Sequence, residues 1–529
     1  MLNISLLALT LCGDILVEPF RIADSEPGHH QVCVRAAMAP DGHFAIAWVD
    51  SLPFPERWRR ELDLYIRFFD STGNPLTDAY KIAKMVDTNW IKHPCLEMDT
   101  AGNVVLVCVE EDKARFDVLD NEYIRFQRFA PDGSPVGSAQ TLVPQVRLGG
   151  WRPIGLSLAN NDEFAIAWSA PSTLGTGAWV QRFNREGYPK NNAFLAHDDF
   201  GTSVYFYWPQ VALSDAGDLV VTWVEFGSSP YQCSYPRFQV FDAQDESILP
   251  WEGMGHRLDD GAEVYSGTRA ETFWLDDDRF VVFWIDKTSR AGILPHLVGR
   301  VFSDRGLTRH PLRWLMWGDS LWLSHGGPEG WYSTAVSPND GFAYTHTRTH
   351  SECPDTSDPS NKRYWTQSAG ILGEVVNNEP WRRTTLFEYT PPLGADIVSH
   401  MRGQPSAVAC CDDRIVWVYS RFNTDTIFEA WAIISDWDMG VGVAEQPIVE
   451  KPPNWKVITS IGPQIVLRYQ DRPDGFRASI FDACGRKVDE VHATESSGMI
   501  TWGRCYGPGV YFIVPSGGKS SAQKVVLIK

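Results

Sequence analysis

A short phrase recurs along the chain about every 60 residues, and this repeat restricts the possible folds more than any other feature. Each copy is a polar turn followed by β-branched and aromatic residues, as in DGHFAIAWVD at 41–50. The seven copies occupy residues 41–50, 101–110, 161–170, 216–225, 277–286, 339–348 and 412–421. Repeats of this period indicate similar supersecondary units that stack side by side.

Each unit predicts four short antiparallel strands. One strand precedes the phrase, the phrase supplies the second, and a third such as LYIRFFD at 64–70 leads through a glycine turn into a fourth at 73–83. Seven such units predict an all-β fold, a seven-bladed β-propeller over residues 1–440. Six or eight blades, or two stacked β-domains, are the alternatives. The repeat resembles those of secreted bacterial propellers, a resemblance that spans 30–440 and implies no single activity.

The opening stretch at 13–23 matches the turn and fourth strand at 73–83 when it is shifted by 60 residues. We therefore expect it to close the ring as the outer strand of the last blade, around 405–435. The segment VGVAEQPIV at 441–449 competes for that place. No basic residue precedes Arg21, so no export signal is evident, and we expect a signal peptide upstream of Met1.

Composition argues against several partners and cofactors. The net charge is −19, from 47 basic and 66 acidic residues, which disfavours nucleic acid or an anionic membrane as the main partner. No apolar run reaches the roughly 18 residues of a transmembrane helix. The 10 cysteines form no CxxC pair or zinc-site spacing, and no nucleotide-binding motif occurs. We expect no transmembrane segment, no metal and no cofactor.

The composition changes after Met439. The stretch GVGVAEQPIVEKPPNWK at 440–456 has glycine, proline and alternating small residues, so 441–454 predict a linker. Residues 455–529 predict a small β-sandwich. Three segments follow one another in order, ASIFDACGRKVDE at 478–490, GPGVYFIVPSGG at 507–518 and QKVVLIK at 523–529, and the third ends at the last residue given.

These three segments resemble the C-terminal sorting domain of type IX secretion, which is related to the immunoglobulin-like domain of flagellar hook-capping proteins. The matching positions are Phe481, Asp482, Gly485, Arg486, Val488, Gly509, Val510, Tyr511, Phe512, Lys524, Val526, Leu527 and Lys529. Cys484 departs from the family, which has an apolar residue there. The resemblance implies export to the cell surface or beyond, with the outer-membrane secretion machinery as a partner.

Aromatic and basic residues precede several of the predicted innermost strands, where a propeller channel would open. The predicted ligand-binding residues are His93, Arg152, Trp208, Arg269, Trp331 and Arg402. Stacking and cation–π contacts from such a ring suit an extracellular glycan or a protein segment. Interblade packing is the structural alternative for each residue.

Acidic residues recur two positions after the tryptophan position of the phrase, which Cys108 occupies in the second copy. Glu110, Glu225 and Asp286 are the candidates for general acid–base catalysis, although their regular recurrence also suits a scaffold role. Two functions therefore stay open. The first is a secreted, non-catalytic binding propeller for glycan or protein, and the second is a secreted polysaccharide hydrolase or lyase.

Overall fold

The computed structural model contains two compact units, Met1–Val441 and Gly442–Lys529. It describes residues 15–24, 28–51, 62–112, 122–146, 154–161, 163–170, 177–197, 205–226, 234–250, 256–258, 270–286, 296–316, 332–352, 363–389, 406–422, 428–437, 455–459, 461–469, 476–483, 486–515 and 523–528. In these ranges no helix is long and apolar enough to cross a membrane.

In the first unit, the described residues form seven sheets, each built on four antiparallel strands. The first strand of the chain, β1 (Ile15–Arg21), belongs to the last sheet. Blade 1 is β2 (His30–Met38), β3 (Phe44–Ser51), β4 (Leu62–Phe69) and β5 (Tyr80–Lys81). Blade 2 is β6 (Trp90–Met98), β7 (Val104–Glu111), β8 (Glu122–Phe129) and β9 (Pro135–Val146). Blade 3 is β10 (Gly155–Leu158), β11 (Phe164–Ala170), β12 (Gly177–Phe183) and β13 (Phe194–Leu195).

The remaining blades follow the same order. Blade 4 is β14 (Tyr205–Leu213), β15 (Leu219–Phe226), β16 (Ser234–Phe241) and β17 (His256–Arg257). Blade 5 is β18 (Glu271–Trp274), β19 (Phe280–Asp286), β20 (His296–Ser303) and β21 (Thr308–Arg309), with β22 (Arg313–Met316) also paired to β20. Blade 6 is β23 (Tyr332–Val336), β24 (Gly341–Glu352), β25 (Arg363–Val376) and β26 (Glu379–Tyr389). Blade 7 is β27 (Ser406–Cys410), β28 (Ile415–Phe422), β29 (Phe428–Ser435) and β1.

The blades form a closed ring. The first strands of neighbouring blades contact one another from blade 7 through blade 1 to blade 5, and again between blades 6 and 7. Blades 5 and 6 meet through β22 and β26 and through Phe283 and Phe342, whose ring centroids are 4.9 Å apart. The predicted all-β propeller is confirmed, and it has seven blades.

The repeated phrase forms the second strand of each blade, which is covered on both faces. All eight residues of β3 are buried. Aromatic rings recur with the repeat: Phe44 stacks on Phe69 at 5.0 Å, and Phe164 stacks on Phe183 at 4.7 Å. Hydrophobic clusters join consecutive blades, so that each apolar face of a sheet is covered by the neighbouring sheet.

Acidic hairpin turns connect the outer strands. Asp70 accepts hydrogen bonds from the backbone amides of Thr72 (2.8 Å) and Asn74 (2.9 Å), and Gly73 adopts a φ of +82° in the same turn. Glycine suits this left-handed conformation because it has no Cβ. Burial raises the pKa of Asp70, but the hydrogen bonds from Thr72 and Asn74 outweigh it and hold the pKa at about 2.

The N-terminal strand is the outer strand of blade 7. β1 pairs antiparallel with β29, with Phe20 opposite Ala432. Beyond β1, the Ile22 amide donates to the Ala430 carbonyl at 3.2 Å, and Arg21 forms a 2.7 Å ion pair with Glu429. The sequence segment 441–449 lies outside the described residues. Pairing of the two ends of the propeller thus closes the ring through hydrogen bonds.

The second unit contains two sheets around one core. Its strands are β30 (Trp455–Thr459), β31 (Ile461–Gly462), β32 (Ile465–Tyr469), β33 (Phe476–Asp482), β34 (Lys487–Ala493), β35 (Gly498–Trp502), β36 (Gly509–Pro515) and β37 (Gln523–Leu527). One sheet has the order β30-β32-β35 and the other β31-β37-β36-β33-β34. Leu467 and Ile480 lie in the core that the two sheets share. The immunoglobulin-like assignment stays a prediction.

Truncation of Ile22 tests the closure. Ile22 is fully buried where blades 7 and 1 meet, whereas Leu16 on the same terminal segment is 46 % exposed. Ile22→Ala should lower the free energy of unfolding of the propeller by about 2–5 kcal/mol, because a core cavity is left behind. Leu16→Ala is the matched control and should change it by less than about 0.5 kcal/mol. Urea denaturation followed by tryptophan fluorescence measures both, and equal effects would argue against a closing role.

Candidate functional site

A cavity of about 450 Å³ lies where the first strands of all seven blades converge. We call it the axial cavity. Its lining comes from the second half of each first strand and the turn that follows, within 35–40, 95–100, 156–160, 210–215, 271–277, 333–338 and 408–412. This volume is within the range of about 300–1,000 Å³ that is usual for small-molecule sites. The ring of blades therefore encloses space for a ligand on its axis.

Acidic side chains dominate the charge of the axial cavity. Its lining includes Glu97, Asp99, Asp215, Glu271, Asp276, Asp277 and Asp412. Arg35 is the one basic residue in the described lining, and its guanidinium donates to the Val34 carbonyl at 2.8 Å. The cavity consequently has a strongly negative wall.

Several of these carboxylates hold turns in place. Asp99 accepts from the backbone amide of Asn103 at 2.8 Å, and Asp276 forms a 2.7 Å ion pair with Arg279. Burial raises the pKa of Asp276, but its hydrogen bonds with Arg279 and the turn backbone bring the pKa below the ordinary value. Asp277 and Asp412 are exposed, and neither has an ion pair within the described ranges. These two carboxylates are available to a ligand.

Neutral groups complete the wall. Trp274 packs edge-on against Phe280, with ring centroids 5.3 Å apart, and its indole nitrogen donates to the Ala212 carbonyl at 3.0 Å. Ser157 accepts from the Leu213 amide at 2.9 Å, which joins blades 3 and 4 beside the cavity. The lining thus contains aromatic, hydroxyl and carboxylate groups.

Backbone bulges occur just before the lining segments of three first strands. Cys33, His93 and Trp208 stand at equivalent places in blades 1, 2 and 4, with φ values of 52°, 51° and 53°. The strand register shifts at each of these positions. A left-handed conformation in a residue other than glycine costs on the order of 1–3 kcal/mol, and such bulges re-aim side chains.

Two of the predicted ligand-binding residues, His93 and Trp208, are therefore bulge residues. Each lies two positions before a cavity-lining residue, Cys95 or Gln210, or about 7 Å along a strand. The other predicted members lie outside the described residues: Arg152, Arg269, Trp331 and Arg402. The structure brings an imidazole and an indole to the inner strands next to the axial cavity.

Glu110, a predicted catalytic carboxylate, is fully buried and part of a polar network. It pairs with Arg125 at 2.6 Å and accepts from the Met85 amide and the Asn89 side chain, both at 2.8 Å. Met85 and Asn89 belong to the connection between blades 1 and 2. Glu110 thus fastens that connection to its own blade, which is a scaffold role.

Glu225 is similarly engaged, in a 2.6 Å ion pair with Arg237 on the adjacent strand β16. Asp286 ends β19, where its backbone pairs with His296, and its side chain lies outside the described residues. The axial cavity lining includes neither Glu110 nor Glu225. Their recurrence along the sequence reflects the ends of equivalent second strands.

Sequence reasoning missed Glu97, Glu271 and Arg35 as cavity residues. They lie in the first strands, ahead of the phrase that carries the repeat signal. One signal was present, because Glu97 interrupts an apolar strand at the place where Ala37 and Ala212 stand in other blades. A charge at that position on an inner strand indicates a polar channel.

No protein-family model matches the sequence, and no curated protein matches it. Several solved structures are similar in shape. A protein of unknown function from Dyadobacter fermentans has 11 % identity and a TM-score of 0.42, over 79 % of this chain and 98 % of that one. An ulvan lyase of polysaccharide lyase family PL25 has 8 % identity and a TM-score of 0.46, over 79 % and 96 %. An α-L-arabinanase from Penicillium chrysogenum has 10 % identity and a TM-score of 0.40, over 79 % of this chain and 98 % of that one. Likenesses at this level assign no substrate or reaction to this chain.

Glu110→Gln tests the scaffold role. Arg125 is only 8 % exposed, so loss of the carboxylate charge leaves a buried guanidinium unpaired. We expect the free energy of unfolding to fall by about 3–5 kcal/mol. Glu186→Gln, on an exposed turn of blade 3, should change it by less than about 0.5 kcal/mol. Calorimetry and urea denaturation give both values, and an unchanged stability for Glu110→Gln would reopen its catalytic interpretation.

Proposed function

We propose that this protein is a carbohydrate-recognising propeller whose ligand occupies the axial channel. The observation that carries the proposal is the placement of His93 and Trp208 at bulges directly before the lining of the axial cavity. A sugar ring presents an apolar face, which stacks on aromatic rings, and hydroxyl groups, which need hydrogen-bond partners. Trp274 in the lining and Trp208 two residues before it in blade 4 are the aromatic candidates for stacking, and the carboxylates and hydroxyls of the lining offer acceptors.

Binding of the full chain to a panel of neutral, acidic and amino oligosaccharides tests this proposal. Trp208→Ala and His93→Ala should each weaken the binding of the best ligand by about tenfold, since one stacking or hydrogen-bond contact is worth about 1.4 kcal/mol. Trp381→Ala is the control, because Trp381 lies on the outer strand β26 and is 46 % exposed. Titration calorimetry measures affinity, and thermal midpoints check that the variants fold. Absence of binding to every oligosaccharide would refute the proposal.

A second candidate function is cleavage of the bound polysaccharide. It is favoured by Glu97 and Glu271, which line the axial cavity from blades 2 and 5. Glycoside hydrolysis ordinarily uses a pair of carboxylates, and this pair borders the cavity whereas Glu110 and Glu225 do not. Release of reducing ends that disappears in Glu97→Gln and Glu271→Gln, with binding retained, would establish cleavage.

We propose further that the second unit directs export to the cell surface or beyond. The described parts of the segments that resemble the type IX sorting domain lie on four neighbouring strands of one sheet, in the order β37-β36-β33-β34. Phe512 stands between Phe481 and Lys524 in this sheet, so residues of all three segments are side by side. Gly485 and Lys529 lie outside the described residues. This juxtaposition supports recognition of the segments as one surface by the outer-membrane secretion machinery.

Removal of 455–529 tests the sorting proposal. In a host with type IX secretion, the truncated protein should fold as a propeller but remain inside the cell. Fractionation with immunoblotting locates it, and protease resistance confirms its fold. A full-length Ile22→Ala variant controls for loss of export through instability of the propeller. Normal export of the truncated chain would contradict the proposal.

A further inference from the structure

We infer that the ligand of the axial cavity is positively charged, and specifically that it is a glycan with free amino groups. This inference rests on the proposed carbohydrate-binding function and narrows its substrate class. It starts from the charge of the cavity wall, in which seven carboxylates stand with one guanidinium, that of Arg35. A concave surface of a single charge sign concentrates the electric field and attracts ligands of the opposite sign.

Two carboxylates are placed to receive an ammonium group. Asp277 and Asp412 lie at the first turns of blades 5 and 7, both are exposed, and no ion pair within the described ranges occupies either. The neighbouring Asp276 differs, because its partner Arg279 already neutralises it. An ammonium group beside Asp277 or Asp412 would donate charge-assisted hydrogen bonds to the carboxylate, and these are stronger than neutral hydrogen bonds.

Two buried threonines give independent support for a polar ligand. Thr272 and Thr334 border the axial cavity at equivalent places in blades 5 and 6, and they are 5 % and 7 % exposed. Within the part of the chain that the structure describes, the hydroxyl oxygen of each has no hydrogen-bond partner. Rotation about χ1 exchanges the methyl and hydroxyl groups of threonine, so a hydroxylated ligand at the cavity wall would satisfy these groups.

The negative charge of the axial cavity wall disfavours acidic glycans. A uronate or sulfated sugar would place its negative charge beside Glu97, Glu271 and the turn aspartates, where like charges repel. Within the cavity lining, the guanidinium of Arg35 is the single described cation that could offset this repulsion. Neutral sugars would lack the attraction but suffer no repulsion. The expected order of affinity is therefore amino sugar, neutral sugar, then acidic sugar.

Three oligosaccharides of equal length test the order: a fully deacetylated chitosan oligomer, its N-acetylated counterpart and an oligogalacturonate. Titration calorimetry with the full chain should give the chitosan oligomer at least about tenfold tighter binding than the N-acetylated one. Because the contact is electrostatic, raised salt should reduce this difference. The double variant Asp277→Asn/Asp412→Asn should weaken chitosan binding severalfold and leave the N-acetylated oligomer unaffected.

Asp132→Asn is the matched control, since Asp132 lies in an exposed turn of blade 2 outside the cavity lining. It should bind all three oligosaccharides as the unaltered protein does. Equal or tighter binding of the neutral or acidic oligomer would overturn the inference and leave the proposed function standing. If the protein binds none of the three oligosaccharides and no sugar in the wider panel, the proposed function itself is overturned. The same affinity for chitosan in the double variant would also overturn the inference.

Discussion

Burial of both faces of every sheet is the constraint on which the whole propeller depends. A four-stranded sheet whose second strand is buried throughout, as β3 is, has two apolar faces and cannot be stable alone. Each blade covers one face of the next, and the aromatic pairs repeated through the ring fill the space between them. Because the first blade would otherwise expose a face, the ring has to close. Pairing of β1 with β29 satisfies this requirement with main-chain hydrogen bonds.

Buried charges follow from the same geometry. The connection between consecutive blades passes over the end of a second strand, and its backbone amides need acceptors there. In blade 2 the carboxylate of Glu110 supplies one, held in turn by Arg125. Blade 4 has an ion pair at the corresponding place, between Glu225 and Arg237. The Glu110 pair holds the connection between blades 1 and 2, and neither Glu110 nor Glu225 lines the axial cavity, whose lining includes other carboxylates.

The convergence of the first strands on one axis creates the cavity that forms the candidate site. Seven strands that meet at an axis cannot all pack side chain to side chain, so a cavity of about 450 Å³ is left among them. Three of these strands have a bulge at equivalent positions. The bulges place Cys33, His93 and Trp208 in a strained left-handed backbone conformation that only the surrounding blades can hold. The proposals for a glycan ligand and for its positive charge both follow from what lines this space.

The sequence by itself determined the repeat, the four-stranded plan of the blades and the all-β propeller, because an apolar phrase between polar turns is local information. It also singled out His93 and Trp208, which lie in the first strands of blades 2 and 4. It could not separate Glu110 from Glu97, since both are acids in or beside apolar strands. Only the tertiary structure decided that Glu110 meets Arg125 while Glu97 borders the axial cavity. The physical reason is that the axis is a property of the closed ring: the groups that share it are about 60 residues apart in the chain, and no local pattern records that they meet.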